Sequence, residues 1–309
     1  MDTRIGSVTL PNPVMTASGT SGHGAELAAY MDLSELGAVV VKSLSAEAYA
    51  GNPPPRLHEV PAGLLNSVGL QGPGVEAWLE HDLPALVTSG ARVVASIWGV
   101  TVEQYAKAAD MLAGAPPAVV AVEINLSCPN VSAAGVAGDR HDVFAHSAAA
   151  TAEAVAATAG CRRPRWAKLS PNVTDVTEIA GAALDAGAEA VTLVNTVMAM
   201  AIDPETARFR LGAGPAGGGL SGPAVHPVAV RAVYDCRAAF PSAGIVGVGG
   251  VTSGADAVEL LMAGADAVQV GTAIFADPRA PARVRSELEA WCRRHRVDQL
   301  GQLIGAAHA

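Results

Sequence analysis

Eight short runs of branched apolar residues recur along this chain, separated by Ala-rich segments of helical period, and that alternation limits the available folds more than any other feature. The runs are Val14–Ala17, Ala38–Lys42, Arg92–Ile97, Val119–Asn125, Arg165–Leu169, Ala190–Val194, Gly244–Val248 and Ala267–Val270. Such near-continuous apolar runs suit strands buried on both faces. Between two of them, Val176, Ile179, Ala180, Ala183 and Leu184 make one helical stripe, opened by Asp175 and Glu178 in capping-box spacing and closed at Gly187. Val258, Leu261 and Met262 repeat the pattern before Gly264. Strands alternating with single helices imply βαβ units and a parallel sheet. Eight units predict an α/β fold closed into a (β/α)8 TIM barrel, with an open doubly wound sheet as the alternative.

The length of 309 residues exceeds a typical domain, yet barrels of about 250 residues or more form one domain, so 1–309 reads as a single unit. Met1–Pro13 alternates apolar Ile5, Val8 and Leu10 with polar residues, as in a small hairpin that plugs the barrel bottom. Two long insertions break the rhythm, Ser43–Pro84 and Thr196–Pro227, and both follow strand ends. Long loops in a compact domain are usually lids or binding loops, and lids over the site are expected here.

Charge excludes one class of partner. With 20 Lys and Arg against 29 Asp and Glu, the net charge is −9, and no basic stripe offers itself to phosphates of nucleic acid. The short Arg293–Arg294–His295–Arg296 run reads as a solvated helix end. Cys128, Cys161, Cys236 and Cys292 are dispersed, without CxxC or metal-ligand spacing, which suggests reduced thiols. No apolar run is long enough to span a bilayer and no basic-then-apolar leader opens the chain, so a cytoplasmic protein without membrane contact is expected. The eight histidines are scattered, and no metal site is expected. HExxH, G-x-S-x-G and paired-carboxylate patterns do not occur, leaving metalloprotease, hydrolase and glycosidase readings without support.

Chemistry collects at the strand ends. The fourth run passes abruptly into Leu126–Ser127–Cys128–Pro129–Asn130, a polar, thiol-bearing loop where a parallel α/β protein places its active site. Cys128 stands between amide side chains, and we read it as a catalytic base; the alternative is a buried structural cysteine. Lys42, Asn125, Lys168 and Asn195 each end or closely follow a run, directing amines and amides into one mouth. A lysine ending a strand is usually solvated. Two at corresponding positions favour an anionic ligand. Runs seven and eight lead into Gly247–Val248–Gly249–Gly250–Val251–Thr252–Ser253–Gly254 and Gly271–Thr272–Ala273, which offer bare N–H groups and hydroxyls where barrels commonly hold phosphate. Tight turns alone would also account for these glycines. A dinucleotide fingerprint fails in the first turn, where Thr252 replaces the last glycine.

Taken in order, these motifs resemble the class 1 dihydroorotate dehydrogenases, FMN enzymes on an α/β barrel. The resemblance spans nearly the whole chain: Ala17–Ser18–Gly19, Lys42–Ser43, Gly51–Asn52–Pro53 with Pro55–Arg56, Asn66–Ser67–Val68–Gly69–Leu70–Gln71, Asn125–Leu126–Ser127–Cys128–Pro129–Asn130, Lys168–Leu169–Ser170–Pro171–Asn172, Val194–Asn195–Thr196, Gly219–Leu220–Ser221–Gly222–Pro223, Gly249–Gly250–Val251 and Gly271–Thr272. A cysteine rather than a serine at 128 is similar to class 1. Gly69–Leu70–Gln71, Asn195–Thr196 and Ile202–Asp203 look like subclass 1B, whose members work with a separate electron-transfer subunit.

The resemblance implies oxidation of (S)-dihydroorotate to orotate in de novo pyrimidine (UMP) synthesis. Cys128 would take the C5 proton while C6 passes hydride to the flavin. FMN would lie near Ser18, Lys42, Ser43, Ser96, Asn125, Lys168 and Val194, its phosphate on Gly222, Gly249, Gly250, Gly271 and Thr272. Lys42, Asn66, Ser67, Val68, Gly69, Leu70, Asn125, Asn130, Asn195 and Thr196 would meet the pyrimidine, whose ring edge suits amide donors and acceptors. A partner subunit with FAD and a 2Fe–2S cluster would pass electrons to NAD, since four dispersed cysteines cannot ligate a cluster; a homodimer core is the family precedent. The alternatives are a fumarate-linked class 1A-like enzyme, a related dihydropyrimidine reductase, or a non-catalytic barrel binding a phosphorylated ligand. Ser96 and Gly72 each stand where the family usually has Asn, and Ala199 where it has Gly. Trp98 is bulky for its place, and the loop from Val131 through Ala134 to Gly138 is small and apolar.

Overall fold

A computed structural model describes residues 1–127 and 144–309. The amino-terminal strands β1 (Thr3–Ile5) and β2 (Val8–Leu10) form an antiparallel hairpin. Then follow β3 (Val14–Thr16), β4 (Val39–Val40), β5 (Leu57–Val60), β6 (Gly63–Asn66), β7 (Val93–Ile97), β8 (Val119–Asn125), β9 (Arg165–Lys168), β10 (Ala190–Leu193), β11 (Val197–Ala199), β12 (Gly218–Ser221), β13 (Gly244–Val248) and β14 (Ala267–Val270). Eight of these form one parallel sheet in the order β3-β14-β13-β10-β9-β8-β7-β4. All eight lie on the runs read from the sequence.

The sheet closes on itself. Gly37 N–H donates to Val14 O (2.8 Å) and Thr16 N–H to Ala38 O (3.3 Å) across the β3–β4 seam. The Thr16 hydroxyl then accepts from Val40 N–H (2.9 Å) and donates to Val40 O (3.3 Å). A side chain thus replaces rungs of the ladder, which is why β4 is shorter than the Ala38–Lys42 run predicts. The barrel, not the open sheet, is the fold.

Strand parity sorts the interior into layers. Met15, Val40, Val94, Ala121, Trp166, Ala190, Val246 and Ala267 pack together with Ile5, Val8 and Leu10 of the hairpin, forming an apolar floor. The opposite parity, including Val14, Val39, Val93, Val122, Val191 and Val268, packs on the surrounding helices. Two residues beyond the floor the inward positions turn polar: Ser96, Glu123, Lys168, Thr192 and Gln269, all buried. Two further on, Asn125 and Val194 reach the mouth, as do Ala17, Lys42, Val248 and Gly271 on their own strands.

Helices wrap the barrel in sequence order. They are α1 (Val75–Ala77), continued through a π-helical turn into α2 (Leu83–Thr88), α3 (Val102–Met111), α4 (Ala148–Ala157), α5 (Val176–Asp185), α6 (His226–Ala239), α7 (Gly254–Ala263), α8 (Ala273–Ala276) and α9 (Ala280–His295). Side-chain caps start four of them: Thr101, Ser147, Asp175 and Ser253, the last in a reciprocal box with Asp256. Among the described residues no helix is long and apolar enough to cross a membrane.

The two insertions do more than form separate lids. Their strands pair into one antiparallel sheet, β11-β12-β6-β5, in which Asn66 opposes Gly219 and Leu65 opposes Leu220. The glycine run is needed for this close approach. A Cβ at Gly218 would sit 2.5 Å from Asn66 O, and one at Gly219 would sit 2.0 Å from Thr196 Oγ1.

Candidate active site at the carboxyl ends of the barrel strands

One cavity opens where the barrel strands end and the insertion sheet covers them. It encloses about 1120 Å³ of free space, counting its open mouth. One end is lined by amides, the other by glycine turns, and the buried Lys168 lies on its floor.

The amide end is held by local geometry. Asn125 closes β8, and its carbonyl accepts from the hydroxyl of buried Tyr105 on α3 (2.7 Å). Asn195 N–H donates to Leu169 O (2.9 Å), and its Nδ2 donates to Ser127 Oγ (2.8 Å) and Asn125 Oδ1 (3.4 Å). Its Oδ1 accepts from Thr196 N–H (2.9 Å). Asn66 Nδ2 donates to Gly219 O (3.2 Å), tying the loop that follows β6 to β12. Arg56 stiffens that loop by donating to Asn52 O (2.6 Å) and Ala50 O (3.1 Å), and Asn52 Nδ2 donates to Ser67 O (3.1 Å). Amides used in this way present both donors and acceptors to a ligand without adding charge.

Beneath the cavity lies a connected polar layer. Lys168 Nζ is 3.7 Å from Glu123 Oε1 and donates to Ser18 Oγ (3.1 Å) and Gln269 Oε1 (3.5 Å). Gln269 Nε2 donates to Glu123 Oε2 (2.8 Å). The Ser96 hydroxyl donates to Glu123 Oε1 (3.4 Å) and lies 2.9 Å from the Ser43 hydroxyl, which accepts from Asn125 Nδ2 (3.0 Å). The charges are thereby paired and hydrogen-bonded, as a buried ion pair requires.

The glycine end works by absence of side chains. Gly222, Gly249 and Gly250 have φ of +96°, +144° and +66°. A Cβ on Gly250 would lie 2.7 Å from His226 Cβ and 2.9 Å from Gly222 O. The N–H groups of Gly249, Gly250, Gly271 and Thr272 form no hydrogen bond among the described residues. Thr272 Oγ1 donates to Ser221 Oγ (2.8 Å), joining the turn after β14 to the insertion sheet.

Most positions singled out in the sequence meet here. From the pyrimidine set, Lys42, Asn66, Val68, Gly69, Leu70, Asn125, Asn195 and Thr196 line the cavity. So do Ser18, Ser43, Lys168, Val194, Gly222, Gly249, Gly250, Gly271 and Thr272. Ser67 and Ser96 do not. Ser67 is fully buried, with its backbone N–H on Arg56 O (2.8 Å), and Ser96 belongs to the polar layer below. Cys128 and Asn130 lie outside the described residues. Sequence reasoning missed Glu123 and Gln269. Their signal was present: each is a polar residue at inward parity inside an apolar strand, and Glu123 shares its parity with Asn125.

Titration separates the other candidates. Burial, then the charge of Lys42, holds the His23 imidazole below its ordinary value. His23 also packs beside Gly72, where a Cβ would lie 3.1 Å from His23 Nε2. Trp98, bulky for its place, is buried edge-on against Tyr49 with ring centroids 5.1 Å apart. Burial raises the thiols of Cys161, Cys236 and Cys292, that of Cys236 to about 12. None of the three lines the cavity, and a raised thiol is a poor source of thiolate.

Comparison with known proteins places this geometry. The family model described as dihydroorotate dehydrogenase matches residues 1–291. The chain is similar to the dihydroorotate dehydrogenase B (NAD(+)) catalytic subunit of Desulforudis audaxviator, 48% identical over 305 residues that cover 98% of this chain and 96% of the relative. It is 44% identical to the subunit of the same name from Geobacter sp. strain M21, over 99% of this chain and 97% of the relative. The corresponding figures for Trichlorobacter lovleyi are 43%, 99% and 98%. The chain belongs to the dihydroorotate dehydrogenase family.

Proposed function

We propose that this chain, as one FMN-binding barrel over residues 1–309, oxidises (S)-dihydroorotate to orotate in cytoplasmic pyrimidine synthesis. Its electrons go to NAD through a partner subunit, in line with the relatives' names, which read NAD(+) and catalytic subunit; FAD and a 2Fe–2S cluster on that partner are what the family resemblance implies. The observation that carries the reading is a single cavity joining an amide-lined end to a glycine-turn end across a buried lysine. The residues suit FMN: the turns after β13 and β14 offer unpaired N–H groups to a phosphate, and side chains at Gly249 and Gly250 would collide with Ala229 and His226 of α6 and so disturb the turn that presents them.

Each residue then has a task. Gly222, Gly249, Gly250, Gly271 and Thr272 hold the phosphate. Ser18, Lys42, Ser43, Asn125, Lys168 and Val194 hold the ring system, with Ser96 supporting Ser43 from below. Asn66, Asn125, Asn195 and Thr196 read the pyrimidine edge together with Lys42 and with Asn130, while Ser67, Val68, Gly69 and Leu70 form and support the wall on that side. Bound FMN supplies the acceptor for the hydride that leaves C6. Cys128 accepts the C5 proton; an ordinary thiol pKa near 8.5 keeps thiolate accessible at working pH. Lys168 keeps a cation on the cavity floor, where fixed positive charge favours electron uptake.

The test is a visible spectrum of the purified chain followed by anaerobic dihydroorotate. Flavin bands near 450 nm that bleach on addition are expected. Bands that persist defeat the substrate assignment, and a colourless chain that cannot be reconstituted with FMN favours a binding protein. NAD reduction should appear only with the partner subunit, and turnover on fumarate alone would overturn that clause. Light scattering of the loaded chain is expected to give the mass of a homodimer.

A further inference from the structure

We propose that Glu123 is a positioning residue whose carboxylate sets the proton order of the serine relay that holds Asn125 at the amide end while tempering the charge of Lys168. It rests on the reading that Asn125 and Asn195 meet the pyrimidine. Glu123 does not line the cavity; it is fully buried one layer below.

The argument is one of donors and acceptors. An ionised carboxylate can only accept, and Glu123 is ion-paired with Lys168 at 3.7 Å. Ser96 must therefore spend its single O–H on Glu123 Oε1 (3.4 Å), which obliges its oxygen to accept from the Ser43 hydroxyl (2.9 Å). Ser43 has then used its proton, so its oxygen accepts from Asn125, and the amide nitrogen of Asn125 faces Ser43 (3.0 Å). The Asn125 oxygen is left facing the other way, where Ser127 Oγ (3.2 Å) and Asn195 Nδ2 (3.4 Å) donate to it. That fixes Asn195 in turn, its oxygen accepting from Thr196 N–H (2.9 Å). The charge thus fixes the proton order of the Ser96–Ser43 relay, which holds Asn125 in the same sense as the backbone N–H of Ser127 does from the other side (3.3 Å).

The same carboxylate orients a second arm. Gln269 donates its amide nitrogen to Glu123 Oε2 (2.8 Å), so its oxygen faces Lys168 Nζ (3.5 Å). Lys168 is held upward between this oxygen and Ser18, and part of its field is offset by Glu123. Removing the negative charge would leave Lys168 uncompensated and favour added electrons in the cavity.

The two arms can be cut separately. Full-length chain is loaded with FMN, and two quantities are read: the orotate Kd from perturbation of the flavin spectrum, and the position of the FMN reduction equilibrium against a reference dye. Ser96→Ala cuts only the arm to Asn125. It is expected to raise the orotate Kd about fivefold and to leave the reduction equilibrium within about twofold of wild type, as loss of a neutral hydroxyl warrants. Gln269→Met cuts the other arm and is expected to move the equilibrium while leaving the orotate Kd within about twofold. Glu123→Gln should do both, weakening orotate and shifting the two-electron equilibrium toward reduced FMN by about tenfold, or about 30 mV. If Glu123→Gln does not fold, the other two variants decide. An unchanged orotate Kd in Ser96→Ala, or a reduction equilibrium that moves in step with it, overturns the relay while the functional reading stands. A wild-type chain that holds FMN without any response to orotate overturns both.

Discussion

The two ends of the cavity solve recognition in opposite ways. At the amide end every useful atom belongs to a side chain, and each is oriented by neighbours: Asn195 by Ser127 and Thr196, Asn125 by Ser43, Asn66 by Gly219. At the glycine end the useful atoms are backbone N–H groups, made available because Gly249 and Gly250 carry no Cβ and adopt positive φ. The first end is specific because buried polar groups without a partner cost free energy. The second is permissive toward whatever carries the anion, because an N–H nest recognises charge and size alone. Substitutions at the two ends should therefore separate substrate from cofactor.

The largest separation belongs to Cys128→Ser. With the glycine turns intact, the variant is expected to retain FMN, while stopped-flow reduction by dihydroorotate slows by about 10²–10⁴, the usual worth of a positioned base. The sign of its pH dependence follows from the hydroxyl: serine is far less acidic than a thiol, so the rate should climb as pH rises. Flavin reduction as fast as wild type would remove Cys128 from the chemistry.

Gly250→Ala attacks the opposite end and should give the opposite pattern. A Cβ there meets His226 Cβ at 2.7 Å and Gly222 O at 2.9 Å, on a backbone of φ +66°. Strain of about 1–3 kcal/mol at such a site predicts FMN affinity lower by about 5- to 150-fold, measured by fluorescence of released flavin. Protein that does load should bleach with dihydroorotate at close to the normal rate. Asn195→Ala is the milder counterpart at the amide end: orotate binding weaker by roughly 1 kcal/mol, about fivefold, with FMN retention unchanged. A variant that lost both ligands together would break the division between the two ends.

Much of this was legible in the sequence because it is periodic or local. Near-continuous apolar runs alternating with helical stripes located all eight barrel strands, and alternation of Ile5, Val8 and Leu10 predicted the hairpin plug that the floor residues enclose. The strand-end polar residues could be placed because a parallel barrel leaves its carboxyl ends open. Pairing of β6 with β12 could not be read, since those strands are about 150 residues apart in the chain and nothing local ties their register. Glu123 is hard to read from sequence because a strand-end position marks Asn125, whereas a carboxylate one layer down at the same parity has no local signal of its partners Lys168 and Gln269 on other strands. Ser96 reads as a ligand contact by resemblance, whereas its strand position puts it one layer lower, as a support for Ser43.

The smallest effect sharpens the comparison through pH. The amide end has a titrating neighbour, His23, which lies close enough to Lys42 for the lysine charge to disfavour its protonation, on top of the cost of burial; Asp82 and Glu26 act in the other direction without reversing the shift. Because the folded imidazole is held below its ordinary value, the unfolded chain takes up the proton first as pH falls through about 6.5. The resulting stability is complete above that pH and is lost as pH drops toward the folded value. Melting temperatures at pH 7.5 and 5.5 should therefore differ more for the wild type than for His23→Gln, whose side chain does not titrate. An equal fall in both proteins would mean that carboxylates elsewhere carry the acid sensitivity. A larger fall in the wild type would locate it in the wall behind Lys42, and orotate affinity should then weaken more between pH 7.5 and 5.5 in the wild type than in His23→Gln.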